Sequence, residues 1–439
     1  MDNTEGTKPR RHRRTRIHRN GRRYRLVRFH GDLCTLLSYR KSEVRGLGNI
    51  PTDGSVILAP NHSNALMDPM VMLRLRKKPT VFGARADLFE NRTIAACLTF
   101  LKILPMVRRR DGLRNVIKNL DIQEDILDVI EDGVPFCMYA EGTHQAKHSL
   151  LPIGKGVFRI AVEAARRFQK PVYVVPVGIE YSDYFRYEGT VLVQFDKPIN
   201  ITEYLAGKPE AGDAEIYRGL TCMLHDRLSE LITYIPDNEE YDAVWAYTKL
   251  ATVGRRRGAL TERLAVNRQA IASVLPADAP GRAEKLSAAL DLDRRLHEAG
   301  ISVLSLGNGG LGRFLLKTLL LLLWLPLQLI CGIWAILQIA PAEYMIKTGI
   351  IKDDAFYNSF RYGLYSLGYV LTLILWTLLG TFAFHCGFWL SLAVSLVFSY
   401  LAFPAFYRGL EAYRVWFSDL KLLFRKDLKE AFRKFRELA

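Results

Sequence analysis

Ser55-Val56-Ile57-Leu58-Ala59-Pro60-Asn61-His62-Ser63-Asn64-Ala65-Leu66-Met67-Asp68-Pro69 is the stretch from which the fold is read. Ser55–Ala59 is a short apolar run with strand character, and Asp68 to Leu75 starts a helix. The chain therefore leaves a strand, passes a loop and enters a helix. A histidine in such a loop is exposed enough to act, and an aspartate a few residues on can fix its tautomer. Such a pair can take a proton from a hydroxyl, help that is worth about 10²–10⁴-fold. Asp68 before Pro69 is equally a helix N-cap, so the segment alone does not decide the chemistry.

Working outward, the pattern repeats. Pro79–Phe82, Pro135–Ala140, Val172–Ile179 and Val191–Phe195 read as strands, and Val116–Ile130 and Gly156–Phe168 as helices. Strands alternating with helices predict an α/β domain with a mainly parallel or mixed sheet flanked by helices. Upstream, residues 26–40 have the spacing of an amphipathic helix, and Gly46, Gly48, Pro51 and Gly54 form a turn-rich stretch. Residues 1–28 are so rich in Arg, Lys and His that they read as a basic flexible arm. This sets a domain over 29–205.

Downstream, 206–312 reads as a helical extension, with Tyr217, Leu220, Leu224, Leu228 and Leu231 at helical steps. Residues 313–407 read as a membrane region. Thr318–Ala340 is 23 residues without a charge, long enough to span a bilayer core, with Pro326 placed to break it. Gly363–Ala383 and Phe388–Tyr407 are two further candidates, joined so closely that they predict a helical hairpin. Residues 408–439 read as a basic amphipathic helix lying on an anionic membrane surface. The positive-inside rule puts that tail in the cytoplasm, and the N-terminal domain, which shows no export signal, beside it. An even number of crossings follows. The simplest arrangement makes the Pro326 segment re-entrant or in-plane and the hairpin two true spans.

The formal net charge is +16, which points to anionic partners: phosphate groups, acidic headgroups or nucleic acid. Six cysteines, at 34, 97, 137, 222, 331 and 386, show no CxxC spacing; they predict buried reduced thiols and no metal site. Gly307–Gly312 fits GxGxxG, yet the helix after it runs into the membrane region, so it reads as a hinge and not a dinucleotide fingerprint. No GxSxG occurs, which argues against a serine hydrolase. With apolar spans in the same chain, the arginine arm suits anionic lipid better than nucleic acid.

Three further segments carry chemistry. Arg108-Arg109-Arg110 beside an apolar run can grip a phosphate through bidentate hydrogen bonds. Tyr139-Ala140-Glu141-Gly142-Thr143-His144 ends a strand at a glycine whose neighbouring N–H groups suit an oxyanion. Gly154-Lys155-Gly156 opens a helix, which suits an anion, and Val175-Pro176-Val177-Gly178 lies in a strand.

In order and spacing, over about residues 45–200, these four segments resemble the glycerolipid acyltransferase superfamily. It shows Asn-His-x4-Asp, an arginine-bearing block, Phe-Pro-Glu-Gly-Thr-Arg and a Val-Pro strand. The resemblance implies His62 as catalytic base and Asp68 as its orienting partner. It implies Arg108 and Arg110, Glu141, Gly142, Thr143 and Lys155 as substrate-binding residues, with Pro176 in the fourth block. It implies no metal and no cofactor. The co-substrate is acyl-CoA or acyl carrier protein, and the acceptor a hydroxyl of glycerol-3-phosphate or lysophosphatidate in phospholipid biosynthesis. Two departures stand out. Five residues, not four, separate His62 from Asp68, and His144 stands where the family has arginine. They leave open a lysophospholipid-remodelling acyltransferase, or an inactive membrane-anchored lipid-binding protein.

Overall fold

The structure is a computed structural model, in which residues 16–75, 79–106, 116–255, 258–307 and 310–439 are described, without the side chains of 116–121. Eight strands form one mixed sheet: β1 (Tyr39–Arg45), β2 (Ser55–Pro60), β3 (Val81–Arg85), β4 (Ile103–Met106), β5 (Phe136–Cys137), β6 (Val172–Tyr181), β7 (Gly189–Phe195) and β8 (Ile199–Asn200). Their order is β1-β7-β6-β2-β5-β3-β4, with β8 also beside β6. Only β7 and β8 run antiparallel to β6; the other pairs are parallel.

The period-two alternation of β2 explains the two cores. Val56 and Leu58 point to one face, where they meet Met67, Val71 and Met72 of α2 (Met67–Arg74) and the apolar C-terminal helices. Ile57 and Ala59 point to the other, covered by α4 (Val116–Glu131), α5 (Gly156–Arg167) and α7 (Asp213–Leu231). A strand buried on both faces must be continuously apolar, which is how it reads. Pro176 is tolerated in β6 because it falls at a break between partners. β7 pairs up to Val177↔Phe195, and β8 takes over at Val174↔Ile199.

Several expectations need correction. The strand placed at Pro135–Ala140 is only Phe136–Cys137, and the strands β1, β4 and β8 were not foreseen. β1 reads Tyr-Arg-Lys-Ser-Glu-Val-Arg because it is an edge strand whose charges face solvent. The basic arm is not flexible throughout. α1 (Arg22–Leu37) is helical from Arg22, and the buried Lys102 ammonium donates to the carbonyls of Ile17 (3.0 Å) and Arg19 (2.6 Å). Tyr24 is buried edge-on against Phe100, which anchors a run that charge repulsion alone would unfold. Three of the six free thiols, Cys97, Cys222 and Cys386, are exposed rather than buried. The glycine run is preceded by a short helix, α11 (Val303–Leu306), and not by the strand a dinucleotide fingerprint needs.

After α6 (Ile201–Ala206) and α7, the extension continues as α8 (Tyr241–Ala251), α9 (Leu260–Ala272) and α10 (Arg282–Glu298). Three helices follow that are long and apolar enough to cross a membrane: α12 (Leu311–Lys347), α13 (Tyr357–Leu378, extended by a π-turn to Ala383) and α14 (Phe388–Phe424). This is the build of a membrane protein. Pro326 does not break its segment, since α12 runs through both Pro326 and Pro341. Nor does the chain change character at 407: α14 continues to Phe424. The last helix, α15 (Lys426–Leu438), turns Leu428, Phe432 and Phe435 into a core with α8 and α10 instead of laying them on a membrane. Burial of large apolar side chains, at about 1.5–3 kcal/mol each, favours that packing.

Contacts among the three apolar helices fix a bend. α12 runs antiparallel to α14, with Thr318 beside Trp416, Gln328 beside Ala405 and Gln338 beside Ser399. It also runs antiparallel to α13, with Glu343 on Arg361, Gln338 on Thr372 and Trp334 on Trp376. Yet α13 and α14 are themselves antiparallel, with Tyr365 on Phe403, Tyr369 on Tyr400 and Gly380 against Ser391. Three straight rods cannot satisfy all three pairings. The bundle bends, and α12 and α14 carry prolines inside them (Pro326, Pro341, Pro404) as sources of kinks. Both ends of α12 therefore return toward the sheet domain and its extension, while the 384–387 link is the far end.

Candidate active site

The site grows from the carboxyl edge of the parallel strands, where α/β sheets place their ligands. Asn61 extends β2 by one residue and pins the loop to β6. Its Oδ1 accepts from Ile179 N (2.7 Å), and its Nδ2 donates to Ile179 O (3.1 Å) and Ser63 Oγ (3.0 Å). A side-chain amide thus does what a strand neighbour would do.

The extra residue between His62 and Asp68 is absorbed at Ala65, whose φ of 39° lies in the left-handed region that alanine rarely adopts. With that turn made, His62 and Asp68 meet: Nδ1 lies 2.7 Å from Asp68 Oδ2. The same oxygen accepts from the amides of Ser63 and Asn64, both at 2.9 Å, and Oδ1 accepts from the Tyr181 hydroxyl at 2.6 Å. Asp68 is completely buried, so its charge depends on these four donors. Its N-cap reading fails in detail: the amides it binds precede the helix. Tyr181 stays protonated to donate, because burial and then the Asp68 charge push its phenol well above the ordinary range.

An Nδ1–H held by a carboxylate leaves Nε2 with its lone pair, the form a general base requires. Tyr139 stacks on the His62 ring (centroids 4.2 Å apart, planes at 25°), and His144 lies on another side at 5.3 Å. Burial, and then the neighbouring His62, lower the pKa of His144 despite Asp68 and Asp353. Both effects favour the uncharged ring at the position where the resemblance expects an arginine.

Glu141 has a different place from the one expected. Both its oxygens are taken by backbone: Oε1 accepts from His62 N (2.7 Å) and Oε2 from Leu151 N (2.8 Å). It braces the catalytic loop against the 151–154 turn rather than reaching for a ligand. Gly142 is in the left-handed region (φ 70°), as its glycine predicts, but its N–H is spent on Tyr139 O at 3.1 Å. Thr143 is exposed beside it, and Lys155 is exposed at the N-terminus of α5. Lys147 is drawn away to Asp237 (2.7 Å). Arg108 and Arg110 lie outside the described residues; β4, which precedes them, ends at the same sheet edge as β2.

Sequence reasoning missed several contributors. Arg85, at the end of β3, bears on His144 electrostatically and forms a two-pronged pair with Asp87. From far downstream in the chain, Phe356 packs edge-on against His144 at 4.8 Å, and Ser359 Oγ accepts the Leu66 amide at 3.0 Å. Asn358 and Arg361 donate to the carbonyls of Tyr184 and Phe185, both at 2.6 Å. The start of α13 is thus fastened to the catalytic loop. Its polar residues in an apolar helix were the only sequence signal.

A fully buried carboxylate thus fixes the orientation of the His62 imidazole, and part of that ring stays exposed. Residues 41–180 match the protein-family model described as Acyltransferase. One of five matching solved structures is the 1-acyl-sn-glycerophosphate (LPA) acyltransferase PlsC from Thermotoga maritima. It is 20% identical, covers 47% of this chain and 79% of that chain, and has a TM-score of 0.34. No curated protein matches the chain significantly. Residues 41–180 are an acyltransferase domain, and the chain is an acyltransferase enzyme.

Proposed function

We propose that this enzyme transfers a fatty acyl group from a thioester, acyl-CoA or acyl carrier protein, to a hydroxyl of glycerol-3-phosphate or lysophosphatidate at the cytoplasmic face of a membrane. The observation that carries the reading is the 2.7 Å contact between His62 Nδ1 and the fully buried Asp68, at a sheet edge fastened to apolar helices. His62 Nε2 takes the acceptor's hydroxyl proton, and the oxygen attacks the thioester carbonyl. The tetrahedral adduct collapses, the C–S bond breaks, and the proton on His62 passes to the leaving thiolate. With the Gly142 amide engaged, the amides of Thr143 and His144 are the candidates for holding the oxyanion. Arg108 and Arg110, joined by Lys155 from the α5 terminus, are proposed to hold the acceptor phosphate.

The bend in the helical bundle supports an even number of crossings. The hairpin of α13 and α14 spans, and α12 enters and returns, so that the catalytic domain and the C-terminus share one side. The test is transfer of labelled acyl groups from acyl-CoA and from acyl carrier protein to glycerol-3-phosphate, lysophosphatidate and headgroup-bearing lysophospholipids. Transfer to the first two, lost by about 10²-fold or more in His62→Ala with unchanged melting, is the expected result. Full activity of His62→Ala would refute the base assignment, and preference for headgroup-bearing acceptors would make the enzyme a remodelling one.

A further inference from the structure

A groove of about 800 Å³, lined by none of the residues around His62, lies between the start of α12, the end of α14 and α15. We propose that it binds one anionic phospholipid as a ligand separate from the acyl-transfer substrates. Its floor is apolar, with Leu306, Leu311 and Phe314 on one side and Phe432 on the other. Its rim carries Lys429, Arg433 and Arg436. Of the two acids lining the groove, Asp419 is buried and paired with Lys317, leaving Glu437 against three cations. The groove is large enough for a lipid headgroup, its glycerol and the first part of a chain.

The cations are placed to be used. Lys429 spends one N–H on Leu423 O at 3.2 Å, and the Arg436 guanidinium sits 6.0 Å from the centre of the Phe432 ring. Arg433 has no ion pair among the described residues. A guanidinium with unspent donors beside an apolar floor matches a phosphodiester with hydrocarbon attached better than it matches free phosphate. The floor is also continuous with the bilayer-facing surface. Leu311, Leu315, Leu316 and Leu319 on the outside of α12 are each more than half exposed, so a chain leaving the groove at Leu311 runs on along that strip. A zwitterionic lipid would bring its own cation to the arginines and lose the advantage of the charge.

The full-length protein in neutral detergent is titrated with short-chain phosphatidylglycerol, phosphatidylcholine or inorganic phosphate, and its melting temperature is followed. Saturable stabilisation by phosphatidylglycerol alone supports the site. Arg433→Gln with Arg436→Gln should weaken the midpoint by about tenfold or more. Lys426→Gln with Lys434→Gln, which removes the same charge from α15 outside the groove, should leave it within about twofold. Both pairs should transfer acyl groups as the wild type does, so failure of the site is separable from failure of the catalytic reading. Equal stabilisation by phosphatidylcholine, stabilisation by inorganic phosphate alone, or equal loss in the two pairs would each overturn it. The wild-type titrations decide the matter even if a variant folds poorly.

Discussion

The Asp68 carboxylate has no exposed surface, yet four donors converge on it: the His62 ring, two amides and the Tyr181 hydroxyl. Asp68→Asn removes half of that acceptor capacity and turns an amide N–H₂ toward donors. We expect kcat to fall by about 10³–10⁴-fold, as with other misoriented catalytic histidines, with a stability loss of about 1–3 kcal/mol seen in melting curves. Glu141 gives a second prediction. Burial pushes it up to about 7 against the amides of Leu151 and His62 that lower it, whereas the ordinary value is 4.5. The folded state therefore holds the proton more tightly between those values. Stability from this group falls as pH rises through that window and is level above it. Melting temperatures from pH 4.5 to 7.5 should show that slope in the wild type and lose it in Glu141→Gln; an unchanged slope would remove Glu141 as its source. His62, Asp68 and the Glu-Gly pair were legible as types and spacings. What Glu141 does was not, because its partners are backbone amides that the sequence does not display. The left-handed Ala65 was likewise invisible, since nothing in an alanine announces it.

At the level of elements, the junction of α13 with the catalytic loop deserves a direct test. Ser359→Ala leaves the Leu66 amide without its acceptor, at a cost of about 1–3 kcal/mol if water cannot replace it. Because Leu66 lies between His62 and Asp68, kcat should drop more than KM rises; the opposite split would mean that the junction serves substrate binding. Gly178→Ala tests the other side of the sheet. A Cβ there would sit 2.3 Å from Leu231 Cβ, so α7 must shift, and melting should fall by the equivalent of about 1–3 kcal/mol. The strands that alternated apolar and polar residues, or ran apolar, were readable; β1 and β4 were not. One is an edge strand full of charge, and the other is four residues long and leads straight into arginines. The helices were readable by period, but their partners were not. The faces of α15 suit a bilayer surface and the α10 surface equally well, and only packing chooses.

For the whole molecule, the three exposed thiols provide a natural ruler. Cys97 lies on the catalytic domain and Cys222 on α7 packed against its sheet, and Cys386 lies in the link at the far end of the helical hairpin. In sealed vesicles, an impermeant maleimide should reach Cys386 only from the side opposite to Cys97 and Cys222. Labelling of all three from one side would abolish the proposed crossings. The apolar segments were legible from composition. The bend of α12 was not, because it follows from contacts between residues far apart in the chain, and the proline that suggested a break only marks where a helix can give way. That returning helix also has a consequence for traffic. An enzyme whose chemistry, helix ends and tail all sit on one side of the bilayer draws its acceptor from a single leaflet and leaves its product there. On the proposed reading, the opposite monolayer gains nothing from this protein directly, and its share of new lipid must be flipped across by other means.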